Sequence, residues 1–178
     1  MTIQLRLATR NDIPILEQLI QESVRQLSKG YYSENQIESA LKHMFGVDTQ
    51  LIDDGTYFVA QSADQIVGCG GWSKRQTLYG GDQFKESEDQ LLDPKTDPAR
   101  IRAFFVHPLW SRRGIGSQIM KACEAAAATA GFVELELMAT LPGEPFYKAF
   151  GFQVVEKVEA PISERGPLPG VRMRKQLN

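Results

Sequence analysis

Apolar side chains recur along this chain with two periods, and the period switches at glycines, prolines and short polar residues. Residues 3–8 alternate, with Ile3, Leu5 and Leu7 on one face, as in a half-buried strand. From Ile13 the period lengthens, and Ile13, Leu16, Leu19, Ile20, Val24 and Leu27 make one helical stripe. Thr9, Asn11 and Asp12 offer capping oxygens to that helix, Pro14 fits its first turn, and Lys29-Gly30 ends it. Ser33 and Gln36 form a capping box for a second helix reaching about Phe45, with Ile37, Leu41 and Met44 on its apolar side. Two strands, 57–60 and 66–72, flank the polar turn Ser62-Ala63-Asp64 and predict a hairpin. Residues 74–98 have no period and are interrupted by Gly80-Gly81, Pro94 and Pro98, so they read as a long loop, functional or mobile.

The second half resumes with a strand over 99–106, a glycine-rich turn, and an alanine-rich helix to about Ala130 closed by Gly131. A strand over 132–139 places Glu134 and Glu136 on one face and Leu135 and Leu137 on the other. A short helix over 144–150 ends at Gly151, and strands over 152–158 and 171–177 follow, separated by the proline- and glycine-rich stretch 161–170. This order predicts an α/β (α+β) fold with a single mixed, mainly antiparallel twisted sheet and helices on both faces.

At 178 residues the chain is long enough for a sizeable core, and one domain over 1–178 is expected. Twenty basic and 22 acidic residues leave a formal charge of −2, which argues against a nucleic-acid surface. No apolar run spans a bilayer and no signal peptide is visible, so a soluble, cytoplasmic protein with no membrane partner is expected. Cys69 and Cys123 fall inside predicted elements and read as buried small hydrophobes. Two histidines and no C-x-x-C pair leave little from which to build a zinc site, and no metal is expected. A homodimer is left open.

The chemistry concentrates after residue 106. Val106-His107-Pro108 leads into Ser111-Arg112-Arg113-Gly114-Ile115-Gly116-Ser117, a strand entering a turn that opens a helix. The glycines let the backbone approach a ligand, the first N–H groups of a helix have no intrahelical partner, and the helix dipole favours an anion. Arg112 and Arg113 add formal charge at that place. The run is no P-loop, because it lacks G-x-x-x-x-G-K-[ST]. It is no dinucleotide fingerprint either, because Ile119 stands where the third glycine belongs. A pyrophosphate site or a plain strand-to-helix turn remain as readings.

About thirty residues on comes Pro145-Phe146-Tyr147-Lys148-Ala149-Phe150-Gly151-Phe152. R-R-G-x-G followed by F-Y-x-x-x-G-F resembles the GNAT superfamily of acetyl-CoA-dependent N-acetyltransferases. Leu5-Arg6-Leu7-Ala8-Thr9 with Asp12, and Met173-Arg174-Lys175-Gln176-Leu177, look like that family's first and last strands. The resemblance implies acetyl-CoA as co-substrate and the same fold. It places the pyrophosphate on the main chain from Arg113 to Ser117, including Gly114, Ile115 and Gly116, with both arginines screening charge. It pairs the pantetheine arm with Phe104, Phe105 and Val106, and makes Tyr147 the acid that protonates the departing thiolate. Where many members carry Gln or Arg three residues before the first glycine, this chain has Ser111.

An alkyl amine of pKa about 10.4 is neutral in only about one molecule per few thousand at pH 7, so its proton needs a destination. The resemblance points to Glu136, with Glu134 on the same face, or to ordered water. His107 has a suitable titration range, but its place beside Pro108 favours packing. The acceptor is expected between the loop holding Tyr31 and Tyr32 and the segment 74–98, with Trp72, Tyr79 and Phe84 nearby. The tyrosine pair reads equally as an aromatic pocket or as a hydrophobic clasp. The run 85–89 reads as a solvated acidic face. The function these features imply is N-acetylation of a primary amine on a small molecule. A protein amine as acceptor and a non-catalytic acyl-CoA sensor are the rivals, and the long loops at 74–98 and 159–170 favour a closed pocket.

Overall fold

The structure is a computed structural model describing residues 2–85, 87–162 and 166–178. Seven strands, β1 (Gln4–Leu7), β2 (Tyr57–Ser62), β3 (Gln65–Ser73), β4 (Ala99–Val106), β5 (Glu134–Thr140), β6 (Gln153–Ala160) and β7 (Leu168–Gln176), form one sheet in the order β1-β2-β3-β4-β5-β7-β6. Every neighbouring pair is antiparallel except β4 and β5, which run parallel. The mixed, mainly antiparallel sheet expected from the sequence is therefore the one formed. No helix among the described residues is long and apolar enough to cross a membrane.

Helices α1 (Ile13–Leu27), α2 (Glu34–His43) and α3 (Thr49–Asp53) cover one face of the sheet, where Leu16, Ile20, Ala40, Met44 and Leu51 pack against Val59 and Cys69. Helices α4 (Ile115–Thr129) and α5 (Glu144–Ala149) cover the other. There Ile119, Met120 and Cys123 meet Val67, Ile101, Leu135 and Met173. The predicted capping box is present: Gln36 N–H donates to Ser33 Oγ at 3.1 Å, and Ser33 N–H donates to Gln36 Oε1 at 2.8 Å. Gly68 of β3 lies under the start of α4, where an added Cβ would stand 2.6 Å from Ile115 Cγ2. The absence of a side chain there is what lets α4 sit down on the sheet.

Among its described residues segment 74–98 contains no helix or long strand, as its composition implies, yet it is firmly held. Arg102 of β4, 2% exposed, donates to Asp48 Oδ2 (3.0 Å) and to the carbonyls of Gly80 (2.6 Å) and Thr77 (3.3 Å). Lys85 reaches Asp48 (2.7 Å) and Asp89 (3.1 Å), and Asp89 also accepts the Thr77 N–H (2.9 Å). The expected solvated acidic face is thus corrected at its ends. Lys85 and Asp89 are spent on closing a buried charge network, while Glu86 lies outside the described residues. Within 159–170, residues 163–165 likewise lie outside them.

Candidate active site

Beta strands 4 and 5 pair only through Ala99 with Leu135 and Arg100 with Glu136, then part. The gap opens toward their C-terminal ends and becomes a cleft of about 760 Å³. Its rim gathers the end of α1, Met44 to Gly46, Leu78 to Gly81, the turn before α4, and α5. Ala103 sits in the parting strand with φ +55°, and from Gly71–Arg102 to Cys69–Phe105 the strand gains one residue on its partner β3. This bulge reverses the alternation of β4. Ala99 and Ile101 face α4, Ala103 and Phe105 face the α1 side, and Phe104 and Val106 return to the α4 side. Tyr57 Oη–H donates to the Ala103 carbonyl at 2.7 Å and fixes the bulge.

At one end of the cleft Arg112 (φ +64°) and Gly114 (φ +81°) take left-handed conformations that turn the chain into α4. Gln118 N–H is the first to bond back, to the Gly114 carbonyl at 3.1 Å, so the N–H groups of Ile115, Gly116 and Ser117 have no intrahelical acceptor. Arg112, Gly114, Ile115, Gly116 and Ser117 all line the cleft, as does Ser111. Arg113 stands outside the lining. Its guanidinium lies over the Trp110 indole at 4.9 Å, and Trp110 is itself part of the wall. His107 pins this turn from behind: Nδ1 accepts the Leu109 N–H at 3.1 Å, which leaves Nε2 to face Glu22 of α1 at 3.3 Å. That is the packing role expected of it.

Phe104, Phe105 and Val106 line the middle of the cleft, and Tyr147 of α5 stands across from them. Its ring packs edge-on against Phe104, Phe146 and Phe152, with centroids 5.2–6.3 Å apart. Burial raises the phenol well above its ordinary value, so it is a protonated donor at neutral pH. No described residue takes up its hydroxyl.

Several of the residues expected at the site are elsewhere. Glu136 is 4% exposed at the closed, paired end of β5, where its carboxylate meets Arg174 (2.8 Å), Arg172 (3.2 Å) and Arg100 (3.6 Å). It lines no part of the cleft. Its oxygens are taken up by three guanidiniums and it stands away from the cleft, so the expectation of Glu136 as base is corrected. Glu134 is bound to Arg174 (3.3 Å) and Gln176 (3.0 Å) and fares no better. Trp72 is buried on the α4 side against Phe132, with centroids 6.0 Å apart, and does not line the cleft. The tyrosine pair divides its roles. Tyr31, 53% exposed, lines the cleft, whereas Tyr32 is the clasp, its Oη donating to the Pro169 carbonyl (2.5 Å) and accepting the Leu141 N–H (2.9 Å).

Residues 53–154 match the family model described as the acetyltransferase (GNAT) domain. The chain belongs to the GNAT acetyltransferase family. No curated protein matches it in sequence. Solved GNAT structures share its fold over nearly the whole chain. A GCN5-related N-acetyltransferase from Rhodopseudomonas palustris has TM-score 0.74 and 22% identity, covering 99% of this chain and 97% of its own. The PaiA N-acetyltransferase of Thermoplasma acidophilum, solved in complex with coenzyme A, has TM-score 0.69 and 17% identity over 99% of both chains. YncA of Salmonella typhimurium, solved with its cofactor acetyl-CoA, has TM-score 0.64 and 13% identity, covering 100% of this chain and 95% of its own.

In this GNAT chain several wall residues carry no sequence signal of their own. Met44, Phe45 and Gly46 follow α2 as an ordinary apolar ending, and Leu78 sits in an aperiodic stretch. Arg102 looks like the polar face of a strand. Its burial follows from β4 lying inside a sheet covered on both faces, so the side opposite Ala99 and Ile101 is enclosed as well.

Proposed function

We propose that this GNAT chain transfers the acetyl group of acetyl-CoA directly to a primary amine of a small molecule. One observation carries the reading. The parting of β4 from β5 leaves a cleft with three unpaired helix N–H groups at one end and an uncommitted, protonated phenol in its wall. The cleft fits the co-substrate. Gly114 has no heavy atom within 4 Å of where a Cβ would stand, so the backbone at the turn is open to a diphosphate. The free edge of β4 beyond Arg100 offers main-chain partners to an amide-bearing arm. Coenzyme A in the Thermoplasma neighbour and acetyl-CoA in the Salmonella neighbour support the same ligand here.

Acetyl-CoA supplies an activated thioester: the amine nitrogen bonds to its carbonyl carbon, the C–S bond breaks, and R–NH3+ plus acetyl-CoA give the amide, CoA–SH and one proton. Tyr147 Oη holds the proton destined for sulfur and recovers one from the nitrogen through solvent. The same desolvation that raises the phenol also raises a thiolate formed beside it, so the two remain matched for transfer. Phe104 and Phe146 keep water from the thioester. With Glu136 and Glu134 committed to arginines, the amine proton leaves through ordered water.

Thermal unfolding in the presence of acetyl-CoA, CoA and ATP tests the ligand. At about 100 times its dissociation constant, either CoA form should add about 2.7 kcal/mol, or about 5–10 °C. ATP should add nothing. No shift with millimolar acetyl-CoA removes the reading; a shift leads to a thiol-release assay with amine acceptors.

A further inference from the structure

The half of the cleft on the α1 side is walled mainly by Leu27, Tyr31, Met44, Phe45, Tyr79 and Met138, with the neutral hydroxyl residues Ser23 and Ser28 at the end of α1. Among the described residues no Asp, Glu, Lys or His lines the cleft. Arg102, which does line it, is occupied by Asp48 and two carbonyls, and Asp48 is shared with Lys85. No unspent charge therefore faces the acceptor here. Tyr79 is held in place rather than mobile: its ring packs on Phe84 at 5.2 Å. The Gly81 N–H donates to the Met44 carbonyl at 2.8 Å, and Gln83 Nε2 donates to that of Phe45 at 2.8 Å.

A wall of this kind selects by what it cannot do. A second ammonium would lose its hydration without meeting a carboxylate, and a carboxylate on the acceptor would find no free cation on this side. A single ammonium arriving at the thioester has the aromatic rings of Tyr31, Phe45 and Tyr79 in the surrounding wall, and loss of water there favours the neutral amine that attacks. We infer that the acceptor is a small monoamine with an aromatic or similarly broad apolar body and no second charged group. The inference rests on the acetyltransferase reading above and gives its acceptor site a chemistry.

The test is thiol release with four acceptors: 2-phenylethylamine, putrescine, the free amino acid phenylalanine, and a tetrapeptide with a free N-terminus. Calorimetric titration of acetyl-CoA is run on the same protein. The expected result is a kcat/KM for 2-phenylethylamine about 100-fold above the other three, in the range that one mismatched apolar or charged group commands. Tyr79→Ala should raise KM for 2-phenylethylamine about tenfold while acetyl-CoA affinity stays put. Tyr31→Glu, at an exposed position that tolerates charge, should narrow the preference over putrescine about tenfold by supplying the missing carboxylate. Equal or better turnover of putrescine, phenylalanine or the peptide overturns the inference. So does acetyl-CoA binding with no turnover of 2-phenylethylamine. Failure to bind acetyl-CoA overturns the acetyltransferase reading instead, and the acceptor inference with it.

Discussion

Tyr147 and Glu136 are both ionisable residues close to the parting of β4 and β5, and their surroundings separate them. Tyr147 lines the cleft and its hydroxyl has no partner among the described residues; the glutamate carboxylate is surrounded by Arg100, Arg172 and Arg174. Tyr147→Phe should lower kcat by about 10²–10⁴-fold with acetyl-CoA affinity and melting temperature unchanged, since the ring contacts with Phe104 and Phe152 survive. Wild-type turnover at saturating substrate would remove the acid role. Glu136→Gln should do the reverse. Leaving three guanidiniums without their carboxylate costs about 3 kcal/mol, read as a lower urea midpoint, while the pH profile of the remaining activity keeps its shape. A variant of normal stability whose acidic limb moves would restore Glu136 as base. Sequence could not make this distinction. Alternation assigns Glu136 to a face of its strand, but not to the closed or the open end of a splayed pair, and the answer depended on where pairing stops.

The elements themselves were more legible, because caps are local. Ser33 with Gln36 starts α2 as read, and Gly131 and Gly151 close α4 and α5 in left-handed conformations. At the start of α1 the cap does more than was read. Asp12 accepts the Thr9 N–H at 2.7 Å, and Arg6 of β1 clamps both its oxygens at 2.9 Å, tying the first strand to the first helix. The Arg6 guanidinium lowers the Asp12 carboxyl from 3.8 to about 2. A carboxyl depressed on folding contributes its full stabilisation above its unfolded value and loses it as pH falls through the folded one. Asp12→Asn should therefore cost about 1 kcal/mol at pH 7. That is about half of what a two-unit shift implies, because Arg6 is substantially exposed. The gap between variant and parent should close between about pH 4 and pH 2 in urea titrations. A gap that persists at pH 2 would put the effect in the cap geometry rather than the charge. Two elements escaped the sequence: five-residue α3, too short to show a period, and the bulge at Ala103, which needs a partner strand to be counted against.

The whole molecule is two cores separated by a sheet, and each holds one free cysteine: Cys69 on β3 under α1, and Cys123 on α4. Neither side chain is exposed, and burial pushes the Cys69 thiol up to about 12 and Cys123 higher still. Buried, protonated thiols react only when the structure opens. Iodoacetamide labelling, resolved by mass spectrometry, thus reads the opening of each face separately. In the proposed binding mode acetyl-CoA would lie at the start of α4 and along β4, beside Ile115 of one core and Phe105, which packs against the other. If the molecule opens as one unit, acetyl-CoA at about 100 times its dissociation constant should slow both cysteines by about 100-fold. If α4 can lift alone, Cys123 labels faster than Cys69 without ligand, and the two rates converge with it. Equal, fast labelling that ligand leaves unchanged would mean that neither core is closed and that the turn before α4 is not where acetyl-CoA binds.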